Sequence, residues 1–295
     1  MRHRLHGGNE RLPHRLRLTL SYSREAVYRE YCPTPPLAPY VECFWTKRID
    51  VSRTGVRQRV LPDGCMDILF YLGADRRQPP TGLVIGTMTQ AVLVDGSDGG
   101  RIVAVRFRPG AAIAFLAVPA HELTDTKVAL ADVWHDADPL RERLRAADSL
   151  RAGVSELERE LLLRLAAVRP LDPLIRAAVG ALRQTNGEPA RIGELARTLG
   201  VSRQHLAQKF KIHVGVGPKE FERVVRMTRL TERLLAPGRP KSTAELAYDL
   251  GYYDQAHMIH EFKALTGLTP REYSADMRDS IFPIQGPEAD AHSPV

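Results

Sequence analysis

The chain has 295 residues, of which 43% are apolar and 26% charged, and its formal net charge is +7. This composition is typical of a globular protein long enough for two domains, and it excludes a fibrous or wholly disordered chain. No run of eighteen uncharged apolar residues occurs, so the sequence predicts no membrane-spanning helix.

The amino-terminal segment of residues 1–22 carries five Arg against one Glu. It lacks the long apolar stretch and the small-residue cleavage site of a secretory signal. We therefore expect a disordered basic arm over residues 1–22. A disordered tail is expected at the other end, over residues 279–295.

Residues 23–168 predict a β-rich domain with trailing helices. Five short apolar or alternating runs, separated by Pro, Gly and Asp clusters, predict strands over 40–49, 66–72, 83–86, 88–94 and 101–108. In the last run, Val103, Val105 and Phe107 alternate with Ala104, Arg106 and Arg108, so the two sets are expected on opposite faces. The pattern predicts a small barrel or sandwich that ends near Pro109.

Three helices are predicted after these strands, over residues 110–116, 139–147 and 154–168. The last has one apolar stripe, made of Val154, Leu157, Leu161, Leu165 and Val168. Such a stripe can pack on the β domain or on a second subunit, so a homodimer through 154–168 stays open. The segment Val168-Arg-Pro-Leu-Asp-Pro173 then predicts a domain boundary, because two prolines interrupt the chain there.

An internal repeat occupies the remaining sequence, with one copy in residues 192–221 and the other in 243–273. At an offset of 51, Glu194, Leu195, Ala196, Leu199 and Gly200 recur as Glu245, Leu246, Ala247, Leu250 and Gly251. At an offset of 52, Phe210, Lys211, Pro218, Lys219, Glu220 and Phe221 recur as Phe262, Lys263, Pro270, Arg271, Glu272 and Tyr273. One residue is therefore inserted in the second copy, most simply at Ala256.

Each copy has the pattern of a helix-turn-helix. A first helix carries a small residue for close crossing, Ala196 or Ala247, and Gly200 or Gly251 supplies the turn. The second helix is expected to begin after an N-cap, Ser202 in one copy and Asp254 in the other. Its buried face is predicted to hold two apolar residues four apart, Leu206 and Phe210 or Met258 and Phe262.

A rod-like helix of roughly 18 residues is predicted between the copies, from Pro218 to the Pro237-Gly238 pair, with a length of about 27 Å. Its charged stripe consists of Arg223, Arg226, Arg229 and Arg233. Residues 203–241 hold ten Lys or Arg against three acids, which fits either a phosphate-contacting surface or a solvated helix face.

On these motifs, residues 172–278 resemble the DNA-binding domain of the AraC/XylS transcriptional regulators. The second copy, LAYDLGYYDQAHMIHEFKALTGLTPREY, carries that family's signature residues, Gly251, Tyr252, Gln255, Phe262, Lys263, Gly267, Pro270 and Tyr273. The resemblance implies two helix-turn-helix units joined by a long helix, in a bacterial, cytoplasmic, nucleoid-associated regulator. It implies double-stranded DNA as a partner, with RNA polymerase as a further candidate, and no cofactor.

Helical phase and the resemblance together predict which side chains face DNA. Base-edge contacts are expected from Arg203, Gln204 and Gln208 in the first unit and from Gln255, Ala256 and His260 in the second. Phosphate contacts are expected from Lys211, Arg226 and Lys263. Any one of these side chains can alternatively be merely exposed to solvent.

The amino-terminal half resembles the cupin-like sensor domains that precede such DNA-binding domains, on its runs YCPTPPLAPYVECFW, LPDGCMDILF and FRPGAAIAFLAVPAHELTD. An unknown small-molecule effector is therefore expected, with Trp45 as an apolar wall and Arg106 or Arg108 as an anion partner. The competing interpretation makes Trp45 a core residue and leaves both arginines in solvent.

The three cysteines, Cys32, Cys43 and Cys65, lack C-x-x-C spacing, which favours a reduced, cytoplasmic chain over a disulfide scaffold. Cys65 lies between Asp63 and Asp67 and is a candidate redox sensor or soft metal ligand, but no His stands nearby and no metal site is predicted.

The sequence thus predicts an α+β protein, β-rich at its amino terminus and all-α beyond residue 172. Gly-x-Ser-x-Gly, Walker A and dinucleotide-binding patterns are absent, so no enzyme activity is predicted. The expected function is sequence-specific, effector-responsive transcription regulation. The alternative is an enzyme or DNA-repair protein that the carboxy-terminal domain delivers to DNA.

Overall fold

The structure is a computed structural model. It describes residues 28–49, 57–73, 80–95, 100–116, 118–134, 136–168, 170–184, 191–236 and 242–279. The predicted basic arm over 1–22 and the predicted tail beyond Asp279 lie outside these residues. Within them, no helix is both long enough and apolar enough to cross a membrane.

The described residues of the amino-terminal part include eight antiparallel strands. They are β1 (Tyr28–Tyr31), β2 (Val41–Ile49), β3 (Arg57–Val60), β4 (Met66–Leu72), β5 (Thr81–Ile85), β6 (Val92–Asp95), β7 (Gly100–Phe107) and β8 (Lys127–Ala129). Six of them make one sheet in the order β1-β2-β7-β4-β5-β8, and β3 pairs with β6 in a separate ribbon. The predicted α+β class is confirmed, with β1 and β8 at the edges of the described sheet.

The predicted strands agree closely with β2, β4, β5 and β7. The run 88–94 differs, because its strand begins only at Val92 and residues 88–91 form a loop. The alternation along β7 is as expected: Val103, Val105 and Phe107 are fully buried in the main core, while Arg106 lies on the opposite face. Strands β1, β3 and β8 were not predicted, since they are only three or four residues long.

Three helices cover the main core: α1 (Ile113–Leu116), α2 (Asp138–Ala146) and α3 (Leu150–Leu165). The apolar stripe of α3 packs inward, with Val154, Leu157 and Leu161 buried in the same core as β7. Leu165 and Val168 pack partly against it. The stripe is therefore covered by its own domain, which is the first of the two expected alternatives, and a homodimer through other residues of 154–168 stays a prediction.

Seven helices form the carboxy-terminal part. They are α4 (Pro173–Gln184), α5 (Ile192–Thr198), α6 (Arg203–Val214), α7 (Pro218–Leu235), α8 (Thr243–Asp249), α9 (Gln255–Thr266) and α10 (Pro270–Asp279). One apolar cluster joins α4, α5 and α6 to the start of α7, and a second joins α8, α9 and α10 to the rest of α7. The predicted 18-residue rod is α7, and it is shared by two separate cores.

Candidate nucleic-acid interface

The first helix-turn-helix consists of α5 and α6, and the chain reverses at Gly200, whose φ of 71° lies in the left-handed region. Ser202 caps α6, since its hydroxyl accepts a hydrogen bond from the His205 N–H at 3.1 Å. Leu206 and Phe210 are fully buried, which fixes the rotation of α6 about its axis. That rotation exposes the three side chains predicted to read bases, Arg203, Gln204 and Gln208.

The second unit repeats this construction with α8 and α9. Gly251 has a φ of 69°, and the Asp254 carboxylate accepts from the His257 N–H at 2.7 Å to cap α9. Met258 and Phe262 are fully buried. The predicted reading residues of this unit, Gln255, Ala256 and His260, are exposed on α9. We call α6 and α9 the reading helices.

The extra residue of the second unit lies at Tyr253, not at Ala256 as expected. The turn residues Val201 and Tyr252 are equivalent, because each donates its N–H to the carbonyl of the small helix residue, Ala196 or Ala247, at 3.0 and 2.9 Å. The N-caps that follow, Ser202 and Asp254, are 52 residues apart, so the inserted residue lies between Tyr252 and Asp254. Sequence comparison could not place the insertion, since both choices align equally well, whereas the turn hydrogen bonds settle it.

Tyr253 is a prominent feature of this turn that was not singled out from sequence. Its side chain is 92% exposed and precedes the cap of the second reading helix. Large aromatic side chains are seldom so exposed in globular domains. The first unit has no counterpart, so the two units present different surfaces beside their reading helices.

Lys211 and Lys263, two of the three predicted phosphate contacts, occupy equivalent places. Each lies in the last turn of a reading helix and is exposed. They are 52 residues apart, the offset of the two reading helices. The structure therefore leaves both ammonium groups accessible to a nucleic-acid backbone.

Arg226, the third predicted phosphate contact, is buried and corrects that expectation. Its residue exposure is 6%, and its guanidinium donates to the Glu261 carboxylate from Nη2 at 2.7 Å and from Nε at 3.1 Å. Glu222 lies 3.4 Å from the same group. Arg226 thus joins the rod to the second reading helix, because its donors face carboxylates rather than solvent.

The surrounding groups complete a buried ionic cluster. Arg223 donates from Nε to the other oxygen of Glu261 at 3.0 Å, and the Arg226 guanidinium lies over the Tyr252 ring at 4.3 Å from its centroid. Burial and the Glu261 charge raise the pKa of the Tyr252 phenol. Glu261 directly follows His260, which is predicted to read bases, and the cluster holds α9 against the rod.

An ion pair also holds the first reading helix, but here the reading helix contributes the positive side chain. Lys209 occupies the position equivalent to Glu261, and its ammonium lies 2.6 Å from the Asp172 carboxylate at the start of α4. Hydrogen bonds from Lys209 and from the backbone lower the pKa of Asp172, although its partial burial opposes them. Each reading helix therefore forms an ion pair from the same equivalent position, α6 with the start of α4 and α9 with α7. In the first pair the reading helix supplies the cation, and in the second it supplies the anion.

The rod's arginine stripe is largely engaged within the protein. Arg229 donates from Nη2 to the Arg183 carbonyl at 2.5 Å, while Arg223 and Arg226 bond to Glu261. Arg233 is exposed. The high local charge seen in the sequence is therefore not a continuous phosphate-binding stripe along the rod.

In the amino-terminal domain, the predicted effector residues form a packed polar cluster. The Trp45 indole N–H donates to Asp67 at 2.9 Å, and Arg106, 6% exposed, donates to both oxygens of Asp67 at 3.2 Å. Asp63 lies 3.3 Å from Arg106. Burial raises the pKa of the Asp67 carboxyl, although Arg106 opposes the shift.

This arrangement corrects both interpretations of Arg106, because its guanidinium is buried and bonds to Asp67 of its own domain rather than facing solvent or an effector anion. Trp45 is a buried residue in a small cluster with Cys43 and Ala104, opposite the main core, as the competing interpretation expected. Arg108 is 41% exposed and pairs with Glu42 at 3.0 Å. The sequence could not foresee these pairs, since the acidic partners come from other strands and loops.

The thiols Cys43 and Cys65 are buried, and burial raises the pKa of each well above its usual range. A thiolate is the reactive form, so neither position favours redox sensing. Among the described residues, no group of three or more His, Cys, Asp or Glu side chains is arranged to hold a metal ion.

We expect only Cys32, which is exposed, to react rapidly with a thiol-specific chromogenic disulfide at pH 8, and all three cysteines to react in guanidinium. Counting the released chromophore with and without denaturant measures this. The Cys32→Ser variant should lose the rapid phase. A rapid phase that survives in that variant would show that a buried thiol is accessible.

In a comparison with known proteins, these two parts match separate family models. Residues 195–276 match the family described as "Helix-turn-helix domain", and residues 29–129 match the "Domain of unknown function (DUF6597)". An AraC-like transcription regulator of Streptomyces antibioticus is 33% identical over 102 residues, which are 35% of this chain and 33% of that protein. The transcriptional regulator GlxA of Rhizobium meliloti (strain 1021) is 34% identical over 98 residues, 33% of this chain and 30% of that protein.

These matches span about a third of each curated relative's length. The crystal structure of an AraC-type regulator from Chromobacterium violaceum aligns with 36% of this chain and 92% of that one, at 24% identity and a TM-score of 0.33. ToxT from Vibrio cholerae O395 aligns with 86% of this chain and 97% of its own, at 10% identity and a TM-score of 0.39.

The helices from α4 to α10 make a tandem helix-turn-helix domain on a shared rod. This domain matches the helix-turn-helix family and is similar to AraC-like transcription regulators. The resemblance expected from the sequence is confirmed. The matched relatives bear the names of transcription regulators, not of enzymes.

Proposed function

We propose that this protein is a sequence-specific DNA-binding transcription regulator whose amino-terminal domain makes it responsive to a small-molecule effector. One observation carries the proposal. Two reading helices expose polar side chains at equivalent positions, and both pack against the same rod, α7. Such helices are the elements that enter successive major grooves in helix-turn-helix proteins.

In this proposal the exposed side chains of α6 and α9 contact the base edges in the major groove. Glutamine pairs with adenine through N6 and N7, and arginine pairs with guanine through O6 and N7. The two units differ in sequence, with Arg203 and Gln204 where the second has Gln255 and Ala256. We therefore propose an operator of two unlike half-sites rather than a palindrome read by identical helices.

Phosphate contacts in this proposal come from Lys211 and Lys263, and no longer from Arg226. Both lysines sit at the reading helices' last turns, where they neutralise backbone phosphates without reading sequence. The further partners are RNA polymerase and an unknown effector, at the bacterial nucleoid. The sensor role of the β domain is supported by its hydrogen bonds to both reading helices.

Reading and anchoring are separated by two variants, tested on an operator selected from random DNA by the full-length protein. Lys211→Ala should weaken binding to operator and random DNA alike and lower the slope of log K against log salt by about 0.9, since one phosphate contact is lost. Gln204→Ala should keep the slope and reduce the preference for the operator over random DNA, because only a base contact is lost.

Fluorescence anisotropy at several salt concentrations measures the salt slope and the preference for the operator over random DNA. Lys127→Ala, at an exposed lysine on β8, is the control for a general change of charge and should leave both unchanged. Identical behaviour of the Lys211 and Gln204 variants would contradict the assignment of roles. Failure of the wild-type protein to select any sequence would contradict the proposed function itself.

A further inference from the structure

The amino-terminal domain bonds to the carboxy-terminal end of the first reading helix. The Thr87 hydroxyl, fully buried, donates to the Val214 carbonyl at 2.6 Å. The Thr124 hydroxyl donates to the Gly215 carbonyl at 2.8 Å. These carbonyls belong to the last turn and the C-cap of α6. Carbonyls at a helix end have no hydrogen-bond partner within the helix.

The same domain bonds to the equivalent end of the second reading helix. The Ala91 N–H donates to the Leu265 carbonyl at 2.7 Å, and Arg59 Nη1 donates to the Thr266 carbonyl at 2.8 Å. Val214 and Thr266 close α6 and α9 and are 52 residues apart, the offset of the two helices. The amino-terminal domain therefore forms hydrogen bonds with both reading helices at the same structural position.

Both helices end in a glycine that admits this close approach. Gly215 and Gly267 have φ values of 96° and 77°, in the left-handed region. A Cβ atom at Gly215 would lie 2.8 Å from the Thr124 hydroxyl, and one at Gly267 would lie 2.9 Å from Arg59 Nη1. Each glycine thus adopts the left-handed conformation that ends its helix, and its lack of a side chain leaves room for the amino-terminal domain.

The contacts to the two helices are tied to each other. Thr87 and Ala91 belong to one loop, residues 86–91, and four residues span at most about 14 Å. Thr89 donates from its N–H and its hydroxyl to the Asp125 carboxylate, at 2.7 and 2.6 Å, and the Asp125 N–H donates to the Thr87 carbonyl at 3.0 Å. We call loop 86–91 together with turn 123–126 the brace.

Strain at Asp125 accompanies this connection. Asp125 is the one non-glycine residue with positive φ, 55°, in the described part of the chain. Such a conformation costs of the order of a kcal/mol or more and persists where the surrounding contacts hold it in place. Its carboxylate binds loop 86–91 while its neighbour Thr124 binds α6, so the strained residue joins both halves of the brace.

Loop 86–91 lies beside a groove that it shares with the rod and α9. The groove has a volume of about 340 Å³ and is lined by residues that include Thr89, Gln90, Glu220, Arg223 and Leu265. Close-packed side chains resist displacement, whereas an open groove leaves room for movement. The hydrogen bonds of the loop therefore act beside the packing of both helices on the rod, and they can adjust the distance between α6 and α9.

We propose that Thr87, Thr124 and Arg59 are positioning residues that determine which spacing between two half-sites the protein accepts. The inference rests on the proposed DNA-binding function and names how that site is regulated. A change within the β domain that moves the brace would alter the relation of the two reading helices without touching their base-reading side chains.

The test uses the full-length protein and the selected operator, together with operators lengthened or shortened by one base pair between the half-sites. One base pair turns the second half-site by about 35°, so a rigid reader is expected to bind such operators poorly. In the variant Thr87→Val with Thr124→Val, and separately in Arg59→Met, that spacing penalty should fall by about three- to tenfold, as the loss of one or two hydrogen bonds would allow.

Matched controls keep the comparison specific. Ser155→Ala removes a hydroxyl of the amino-terminal domain that lies outside the brace and donates to the Arg151 carbonyl of its own helix, α3, at 3.3 Å. Arg57→Met changes an exposed arginine on the same strand as Arg59. Both should keep the wild-type spacing penalty. All variants should bind DNA carrying a single half-site as the wild type does, because the reading faces are unaltered.

A measurement without DNA tests the brace independently of the proposed function. Spin labels at Arg203→Cys and Gln255→Cys, in a Cys32→Ser background, report the distance between the exposed amino-terminal ends of the reading helices. The distance distribution should broaden in the Thr87/Thr124 and Arg59 variants and stay narrow in the controls. An unchanged distribution would overturn the brace even if no operator exists, and a broadened one with an unchanged spacing penalty would overturn its role in specificity.

Discussion

Replacing Arg226 by methionine is expected to lower the free energy of unfolding of the carboxy-terminal domain by about 3–5 kcal/mol. The guanidinium is 7% exposed and lies between Glu222 and Glu261, which are 3% and 7% exposed. Its removal leaves two buried carboxylates facing each other, while Lys219 and Arg223 still pair with their outer sides. Thermal unfolding followed by circular dichroism should show a fall in Tm of more than about 10 °C.

Arg233→Met is the matched control, since it lies on the same helix and is exposed. Its effect should stay within about 0.5 kcal/mol. The double variant Arg226→Met with Glu261→Leu should recover part of the loss, because the two changes remove a buried pair together. A stable Arg226→Met protein with weaker binding to all DNA and a lower salt slope would restore the phosphate-contact role.

The double variant Gln208→Ala with Gln255→Ala is expected to lose about 2–6 kcal/mol of binding to the selected operator. Each glutamine lies exposed on a different reading helix, so the two losses should add. Operator affinity should fall between about 30-fold and 10⁴-fold, as 1.4 kcal/mol corresponds to a factor of ten. Binding to random DNA should be unchanged, because no charge is removed.

Electrophoretic mobility shift and anisotropy titrations at one salt concentration measure both affinities. The control Gln184→Ala alters a glutamine at the end of α4, away from the reading helices, and should bind both DNAs normally. Each single variant should account for about half of the free-energy loss. An equal loss on operator and random DNA would show that the glutamines are not base readers, and no loss would remove one reading helix from the interface.

The brace bears on how an effector could act. Strand β5 ends at Ile85, immediately before loop 86–91, and it is hydrogen-bonded to β4, which carries Asp67. A ligand that displaced β5 would shift the brace and with it both reading helices. Regulation of this kind acts on operator geometry, so it is expected to depend on half-site spacing rather than on half-site sequence.

Much of the carboxy-terminal domain could be predicted because its signals are local. Ser202 and Asp254 cap helices that begin one residue later, and Leu206 and Phe210 lie four apart on one buried face. The internal repeat doubled each of these signals. In the amino-terminal half, β2, β4 and β7 were found by alternation, whereas strands of three or four residues such as β8 carry too little pattern to be detected.

By itself the sequence determined the tandem helix-turn-helix, its caps, its rod and the exposure of the residues predicted to read bases, since all of these depend on neighbours along the chain. Only the tertiary structure decided that Arg226 pairs with Glu261, 35 residues away, that Arg106 faces Asp67, and that Thr87 reaches α6. A charged or polar side chain takes whichever partner the fold brings within about 3 Å, and a helical or strand period carries no information about that partner.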